Sequence, residues 1–556
     1  NWAVAGARTK SGKPLLANDP HVPLLPAPTF WHHVHLCCPA YDVQGGMYPG
    51  FPAFGFGHNA RLGWGVTTAF RDAWDLFRIE RLAGAASRYH TADGVGALTS
   101  HSEPLHKRFA KEDIIEWEQC EHGIVYPDWK HADGTDLALK YVDCDHVAHW
   151  DGHLALMAAQ TPAELDAALA KINEGPFDFN VVHAHAEGRI GWHVVGRLPN
   201  RARDGLFVRN ASDAGAQWRG YRPFADNPSL IQPECGFVAT ANSVVDATQH
   251  GRLGTWVHCE VDYRQKRVES WLGASTQHTL ADMQRMQADV DSDFSRPLRD
   301  ALCVLLAPYR QATPQLRDAL QALEQWNGVF DSASVGACVF SLVRRTLPRV
   351  VFGKLLSEKL ARRFAHGQRA IPRLDRLLLD ELDPLRQLLL EKTEYPLAHW
   401  VGVAFENTVE KLSRQFGESV PRWRWGRIQT VRIATALAEV VPGATPFVAL
   451  EAEFPGEANT LSPAVSMKSG ECGLRVFNGA SSRFIVDFAT PSEAWFAHSC
   501  GPSADPETPF FRQQSEQWAK FRWFKSGLWS ADQVPDVVER VIVRGSDLVE
   551  LRAQDK

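Results

Sequence analysis

Asn1-Trp2-Ala3-Val4-Ala5-Gly6, followed by Ser11-Gly12-Lys13-Pro14-Leu15-Leu16-Ala17-Asn18-Asp19-Pro20-His21, is the stretch on which the fold turns. Trp2 to Gly6 reads as one short apolar strand and Pro14 to Asn18 as another. Thr9-Lys10-Ser11-Gly12 between them has turn chemistry. A glycine- and aromatic-rich run follows from Tyr41 to Phe70, holding Tyr48-Pro49-Gly50, Phe56-Gly57-His58-Asn59 and Trp64-Gly65-Val66-Thr67-Thr68. Glycines at that density let one backbone approach another, or approach a ligand. Residues 1–80 are thus β-rich, and 100–160 read as irregular strands.

Further along the period changes. Thr161-Pro162-Ala163-Glu164 is a helix start, with Thr161 as cap, Pro162 at the first helical position and Glu164 closing a capping box. Leu165, Leu169 and Ile172 then share one apolar face, and strands return at Val181–Ala184 and Ile190–Val195. From Thr279 to about Lys392 helical spacing dominates, as in Leu298 to Leu306 and in Leu316, Leu320 and Leu323. The basic stretch Lys359–Arg376 reads as a solvated helical face. Strands resume from Thr430 to Leu551, with Phe484-Ile485-Val486-Asp487-Phe488 as one of them. The expected organisation is a β-rich core over 1–278, a mainly helical insertion over 279–429, and completion of the core over 430–556.

With 556 residues, 45% of them hydrophobic, the chain can bury a large core. A net charge of −6 without a Lys/Arg run argues against a nucleic-acid partner. No stretch approaches the ~18 apolar residues of a membrane helix. The sequence opens directly on a strand with neither an initiator Met nor a signal peptide, the pattern of a processed protein. Ten cysteines include no CxxC, and the adjacent Cys37-Cys38 cannot bridge each other without strain. G-x-S-x-G, HExxH, P-loop and dinucleotide motifs are missing. His32-His33-x-His35 and His183-x-His185 could be drawn as metal clusters, because strand positions two apart share a face. Neither has a Cys or carboxylate at ligand spacing, so they read as ordinary histidines.

The opening stretch resembles the start of the β chain in the penicillin acylase family, closest to its acyl-homoserine-lactone and cephalosporin-type acylases. Further matches follow in order. Leu62-Gly63-Trp64-Gly65 resembles the family's glycine-rich segment, and Asp72-Ala73-Trp74-Asp75 its acidic calcium-binding turn. Gly188-Arg189-Ile190-Gly191-Trp192 and Gly196-Arg197-Leu198-Pro199 resemble a strand pair. Ala239-Thr240-Ala241-Asn242-Ser243 resembles the segment with a catalytic Asn, and Arg264-Gln265-Lys266-Arg267-Val268 that with a catalytic Arg. Gly501-Pro502-Ser503, Gln514, Trp518 and Trp523 echo the closing motif.

The resemblance implies an α+β fold, the four-layer αββα sandwich of the N-terminal-nucleophile hydrolases, with a helical insertion. It also implies autoproteolysis that exposes Ser-Asn-x-Trp, placing a nucleophilic serine two positions before Asn1. An N-terminal α-amine, with an ordinary pKa of about 7.7–8, can take the serine's proton near neutral pH, so one residue carries nucleophile and base. By the same resemblance, Asn242 and the Thr68 backbone N–H are the oxyanion donors, Arg267 holds Asn242 and the amine, and His21 lies beside the nucleophile. Val22, Phe56, Val66 and Phe179 line the acyl pocket. Catalysis needs no cofactor, and a structural Ca2+ is expected at Asp72, Trp74, Asp75 and Pro199, where two carboxylates in a loop suit a hard cation.

The implied partners are a small α chain from the same precursor and a small acyl amide, in the periplasm or outside the cell, with no nucleic acid and no membrane. His21 stands where penicillin G acylases tend to carry Gln, which favours an acyl-homoserine-lactone acylase acting also on β-lactam side chains. The alternatives are a penicillin or cephalosporin acylase proper, a homologue that binds an acyl amide without cleaving it, and a structural scaffold.

Overall fold

The computed structural model describes residues 1–530 and 533, except 29, 144–145, 203–204, 247, 249–260, 366–369 and 442. Period-2 alternation at the start decides the layering. In the strand Trp2–Val4, Trp2 and Val4 face one way and Ala3 the other. In Leu15–Asn18, Leu15 and Ala17 oppose Leu16. All six are fully buried, so both faces of this sheet are covered.

The first sheet has six antiparallel strands in the order Phe237–Ala239, Trp2–Val4, Leu15–Asn18, Ser482–Asp487, Glu493–His498 and Phe524–Gly527. The second has seven: Ser229–Ile231, Ile190–Val195, Phe179–His185, Leu62–Thr68, Phe54–His58, Tyr41–Met47 and His32–Cys38. Leu16, Phe56, Trp192, Phe484 and Phe496 fill the space between them. Helices Tyr263–Gly273 and Leu280–Gln287 cover the first sheet through Val268, Leu272, Met283 and Met286. Helices His146–Ala158 and Pro162–Ile172 cover the second through Leu156, Leu165, Leu169 and Ile172. The result is the expected four-layer αββα sandwich.

Thr161 and Glu164 form the expected capping box, each accepting from the other's backbone N–H, at 3.3 and 3.0 Å. The strands expected up to residue 160 stop at Tyr141, and His146–Ala158 is a helix. Its apolar residues give no single stripe, since Leu156 and Met157 are buried while Val147 and Leu154 on the same helix are exposed. Helix Leu280–Gln287 belongs to the sandwich. The helical unit proper runs through elements from Ser295–Leu305 to Leu397–Phe416 around the central helix Val335–Leu355. Buried Arg344 pairs with Asp375 of that unit and reaches Glu457 of the returning strand segment at 3.4 Å, tying the two together. The strand reading between 534 and 551 lies outside the described residues. No helix among the described residues is long and apolar enough to cross a membrane.

Candidate active site

The first sheet brings the sequence-predicted residues to one end of its central strands. Trp2 pairs with Ala17 on one side and Ala239 on the other, so Asn1 lies between Asn18 and Thr240. The Asn1 backbone nitrogen donates to Thr240 O at 3.0 Å, and Thr240 N returns a bond to Asn1 O at 2.9 Å. Asp19, His21, Thr67, Ala241, Asn242, Arg264 and Leu461 complete a narrow cleft around Asn1.

Asn242 sits just past the strand Phe237–Ala239 with φ +64°, a left-handed conformation that Asn tolerates better than most residues. Its amide nitrogen donates to Thr67 Oγ1 and to Thr68 O at 2.9 Å. Arg264 donates to Asn242 Oδ1 at 3.0 Å and faces His21 Nδ1 at 3.3 Å. A guanidinium only donates, so Nδ1 accepts and the His21 proton sits on Nε2, 3.4 Å from Asp19 Oδ2. A chain of polar groups thus runs Asp19, His21, Arg264, Asn242, Thr67/Thr68. Gln265 fixes the adjoining loop, accepting from Ala241 N at 3.0 Å and donating to Ala239 O at 3.1 Å.

Electrostatics here favour a neutral His21 imidazole. Burial lowers the His21 pKa, with Asp19 opposing and Arg264 adding to the fall. For Asp19, burial pushes upward but is outweighed by His21, so its carboxyl stays below the usual range.

Thr68 ends the strand Leu62–Thr68 opposite Phe179. Ala69 N donates to Asp178 O at 3.2 Å, so Ala69 occupies a hydrogen-bonded pair and Thr68 the next, non-bonded one. The Thr68 carbonyl accepts from Asn242 at 2.9 Å and from Asn180 of the neighbouring strand at 3.1 Å. Gly65 permits this close approach, since a Cβ there would stand 2.5 Å from Asn18 Oδ1.

Arg267 is placed elsewhere. It donates to Asp289 at 2.7 Å, Asp293 at 2.8 Å and Asp291 at 3.2 Å, away from Asn242. Arg264 takes the position expected of Arg267, and the sequence carries a signal for this: Arg264, Val268 and Leu272 recur every four residues on the buried helix face. We expect Arg264→Met to lower kcat by roughly tenfold to a hundredfold by releasing Asn242. Arg267→Met should leave kcat within about twofold and lower Tm instead, as the Asp289 side chain, only 8% exposed, loses its guanidinium while Asp291 and Asp293 keep Arg296. Steady-state kinetics and thermal melts of the two variants side by side check this.

Of the four expected pocket residues, Val66 and Phe179 line an apolar cavity of about 160 Å³ with Tyr48, Phe51, Phe177 and His153, between the second sheet and its helices. Phe56 faces the other side of that sheet, packed on Trp31 and Phe484 at ring distances of 4.8 and 5.6 Å. Val22 pairs with Gly479 and lies outside the cavity. Both faces of the sheet are apolar, so alternation alone does not say which face holds the cavity.

The proposed calcium ligands are brought together in part. An ideal Gly205 Cβ would lie 2.5 Å from Asp72 Oδ1 and Trp74 O and 2.6 Å from Asp75 Oδ1, so these three oxygens converge on one point. That point lies within bonding distance of the Gly205 α-carbon, and Gly205 N donates to Asp72 Oδ2 at 2.8 Å. The guanidinium of Arg201 pairs with both carboxylates. Room and charge at the turn are therefore already taken, and the donor set does not fit a calcium ion. Pro199 is held in a bridge to Tyr221. Among the described residues no group of three or more His, Cys, Asp or Glu is arranged to hold a metal.

The penicillin amidase family model matches residues 1–535. The acyl-homoserine lactone acylase QuiP of Pseudomonas aeruginosa is 26% identical over 94% of this chain and 66% of its own length. Penicillin acylase 2 proenzyme of Pseudomonas sp. (strain SE83) is 27% identical over 93% of this chain and 65% of its own length. The chain thus spans about two thirds of the length of these curated relatives. A thermostable penicillin G acylase from Alcaligenes faecalis has the same fold, with a TM-score of 0.76 and 98% coverage of both chains at 17% identity. The family model spans nearly the whole chain and the layering agrees with the solved structure, and the chain belongs to the penicillin amidase family.

Proposed function

We propose that this chain is the catalytic large chain of an amide hydrolase that removes an apolar acyl group from N-acyl-homoserine lactones. The observation that carries the reading is strand register. Residue pairs of the first strand with Phe237–Ala239 run Trp2/Ala239 and Asn1/Thr240, so a residue two positions before Asn1 falls opposite Asn242. At about 3.3 Å per residue it stands some 7 Å beyond Asn1, at the level of Pro20 and next to His21. The resemblance implies the nucleophilic serine at that position.

In this reading the serine hydroxyl attacks the acyl carbonyl while its own α-amine takes the proton. An α-amine with an ordinary pKa of about 7.7–8 can accept that proton near neutral pH. Asn242 Nδ2 and the Thr68 N–H hold the oxyanion, which displaces Thr67 or Thr68 oxygen from the Asn242 amide. Amine departure leaves an acyl serine that water then hydrolyses. In this reading a smaller chain cut from the same precursor completes the protein. A specific observation favours a second reading, aryl-acetyl removal from β-lactams: the aromatic-walled cavity of about 160 Å³ is close to the ~150 Å³ that holds a benzene ring.

The test is intact mass and N-terminal sequencing of the processed large chain, before and after a serine-directed covalent inhibitor. A chain that begins Ser-Asn before Asn1 and gains one inhibitor supports the proposal. A chain without that serine, which binds acyl-homoserine lactone but releases no homoserine lactone, overturns it in favour of a binding-only protein. Val66→Phe should lower kcat/KM about fourfold per excluded methylene, at ~0.8 kcal/mol each, for the longest chains that fit, and spare the shortest. A chain-length series checks this.

A further inference from the structure

We propose that Arg201 is the resident cation of the turn Asp72 to Asp75, and that its guanidinium holds this turn in place of a divalent metal ion. The turn matters because it directly follows the strand that ends in Thr67 and Thr68. Asp72 and Asp75 are both buried, and two buried carboxylates three residues apart need a counter-charge. Arg201 supplies it from the loop after Pro199. One of its nitrogens pairs with Asp75 Oδ2, the other with Asp72 Oδ2 and, at 3.2 Å, with Asp72 O. The Arg201 side chain is only 6% exposed, its guanidinium lies 5.6 Å from the Trp218 ring centroid, and Trp218 Nε1 donates to Asp75 Oδ2. A guanidinium in that setting is pinned on three sides.

The bridge joins the second sheet's loop to the strand Trp74–Ile79, which the segment Arg209–Asn210 then joins in parallel. Beside it, buried Arg71 makes a similar clasp, donating to Phe177 O at 3.1 Å and pairing with Asp178 at 3.6 Å. Two guanidinium clasps thus anchor the chain immediately behind Thr68. A planar guanidinium serves both carboxylates with directed hydrogen bonds, which a spherical ion of 6–8 oxygen ligands cannot do in the space that Gly205 leaves.

The experiment is thermal melting of the processed two-chain protein, read by intrinsic fluorescence with EDTA and with millimolar CaCl2. Wild type should melt within about 1 °C in both. Arg201→Met should melt several °C lower in EDTA, since both aspartates lose their partner. Calcium should leave that loss in place, because Gly205 still fills the point on which the three oxygens converge. If Arg201→Met fails to fold, Asp72→Asn combined with Arg201→Met removes one charge of each sign and should recover a folded protein in EDTA. A wild-type protein whose Tm falls in EDTA and recovers in calcium, with the response abolished by Asp72→Asn, overturns the proposal. So does an Arg201→Met variant that melts like wild type in EDTA.

Discussion

Asn242→Ala is expected to lower kcat by about 10²–10³ with little change in KM, because an oxyanion donor acts on the charge that develops in the transition state. The amide nitrogen sits at the end of the strand Leu62–Thr68, 2.9 Å from Thr68 O, and Arg264 holds its oxygen at 3.0 Å, so the NH2 end faces the cleft. Losing one such donor costs about 2.7–4 kcal/mol of barrier. Ala at φ +64° adds a separate backbone penalty of about 1–2 kcal/mol, which lowers stability without touching the chemistry. Asn242→Gly separates the two effects: glycine accepts that φ freely, so the variant should melt close to wild type and still lose the same factor in kcat. Retention of a tenth or more of kcat by the glycine variant would remove Asn242 from the oxyanion site.

The site was legible where its signals are local and illegible where they depend on distant partners. The opening strands, the Thr161/Glu164 capping box and the leucine spacings could be read because each rests on neighbours a few residues apart. Asn242 and His21 were singled out through ordered segments of family resemblance, and the fold brings both to one cleft. Arg264 lost its role to Arg267 because the choice depends on which helix face meets the first sheet. The Val268 and Leu272 spacing could have decided it. Phe56 and Val66 stand on strands of one sheet, and only the position of helices Pro162–Ile172 and His146–Ala158 shows which face carries the cavity. Asp72 and Asp75 announce a cation, but their partner Arg201 lies far along the chain, and a pair of acids cannot say whether the cation is a metal or a guanidinium.

The protein should unfold cooperatively on mild acidification, with a midpoint near pH 5. Burial brings His33, His153 and His193 from 6.5 to about 4, and His58 and His498 to about 3. Their folded pKa values are depressed, so the stabilising contribution is complete above 6.5 and is lost as pH falls toward 4. In that window the unfolded chain binds these protons and the native state does not. Each histidine changes stability by about 1.4 kcal/mol per pH unit, and five acting together by about 7 kcal/mol per unit. A native state worth about 5–15 kcal/mol is exhausted within one to two units below 6.5. Burial raises the carboxyls of Asp75, Asp178 and Asp487, which gain protons first in the native state and soften the slope toward its acid end. Tryptophan fluorescence against pH follows the transition. His498→Phe, set among Phe496 and Phe524, should move the midpoint toward acid by removing one of the five protons. A midpoint below about pH 4, or one unmoved by that substitution, would show that these rings are protonated in the folded protein and that the polar network of His33, Gln44, His58 and Ser526 admits charge.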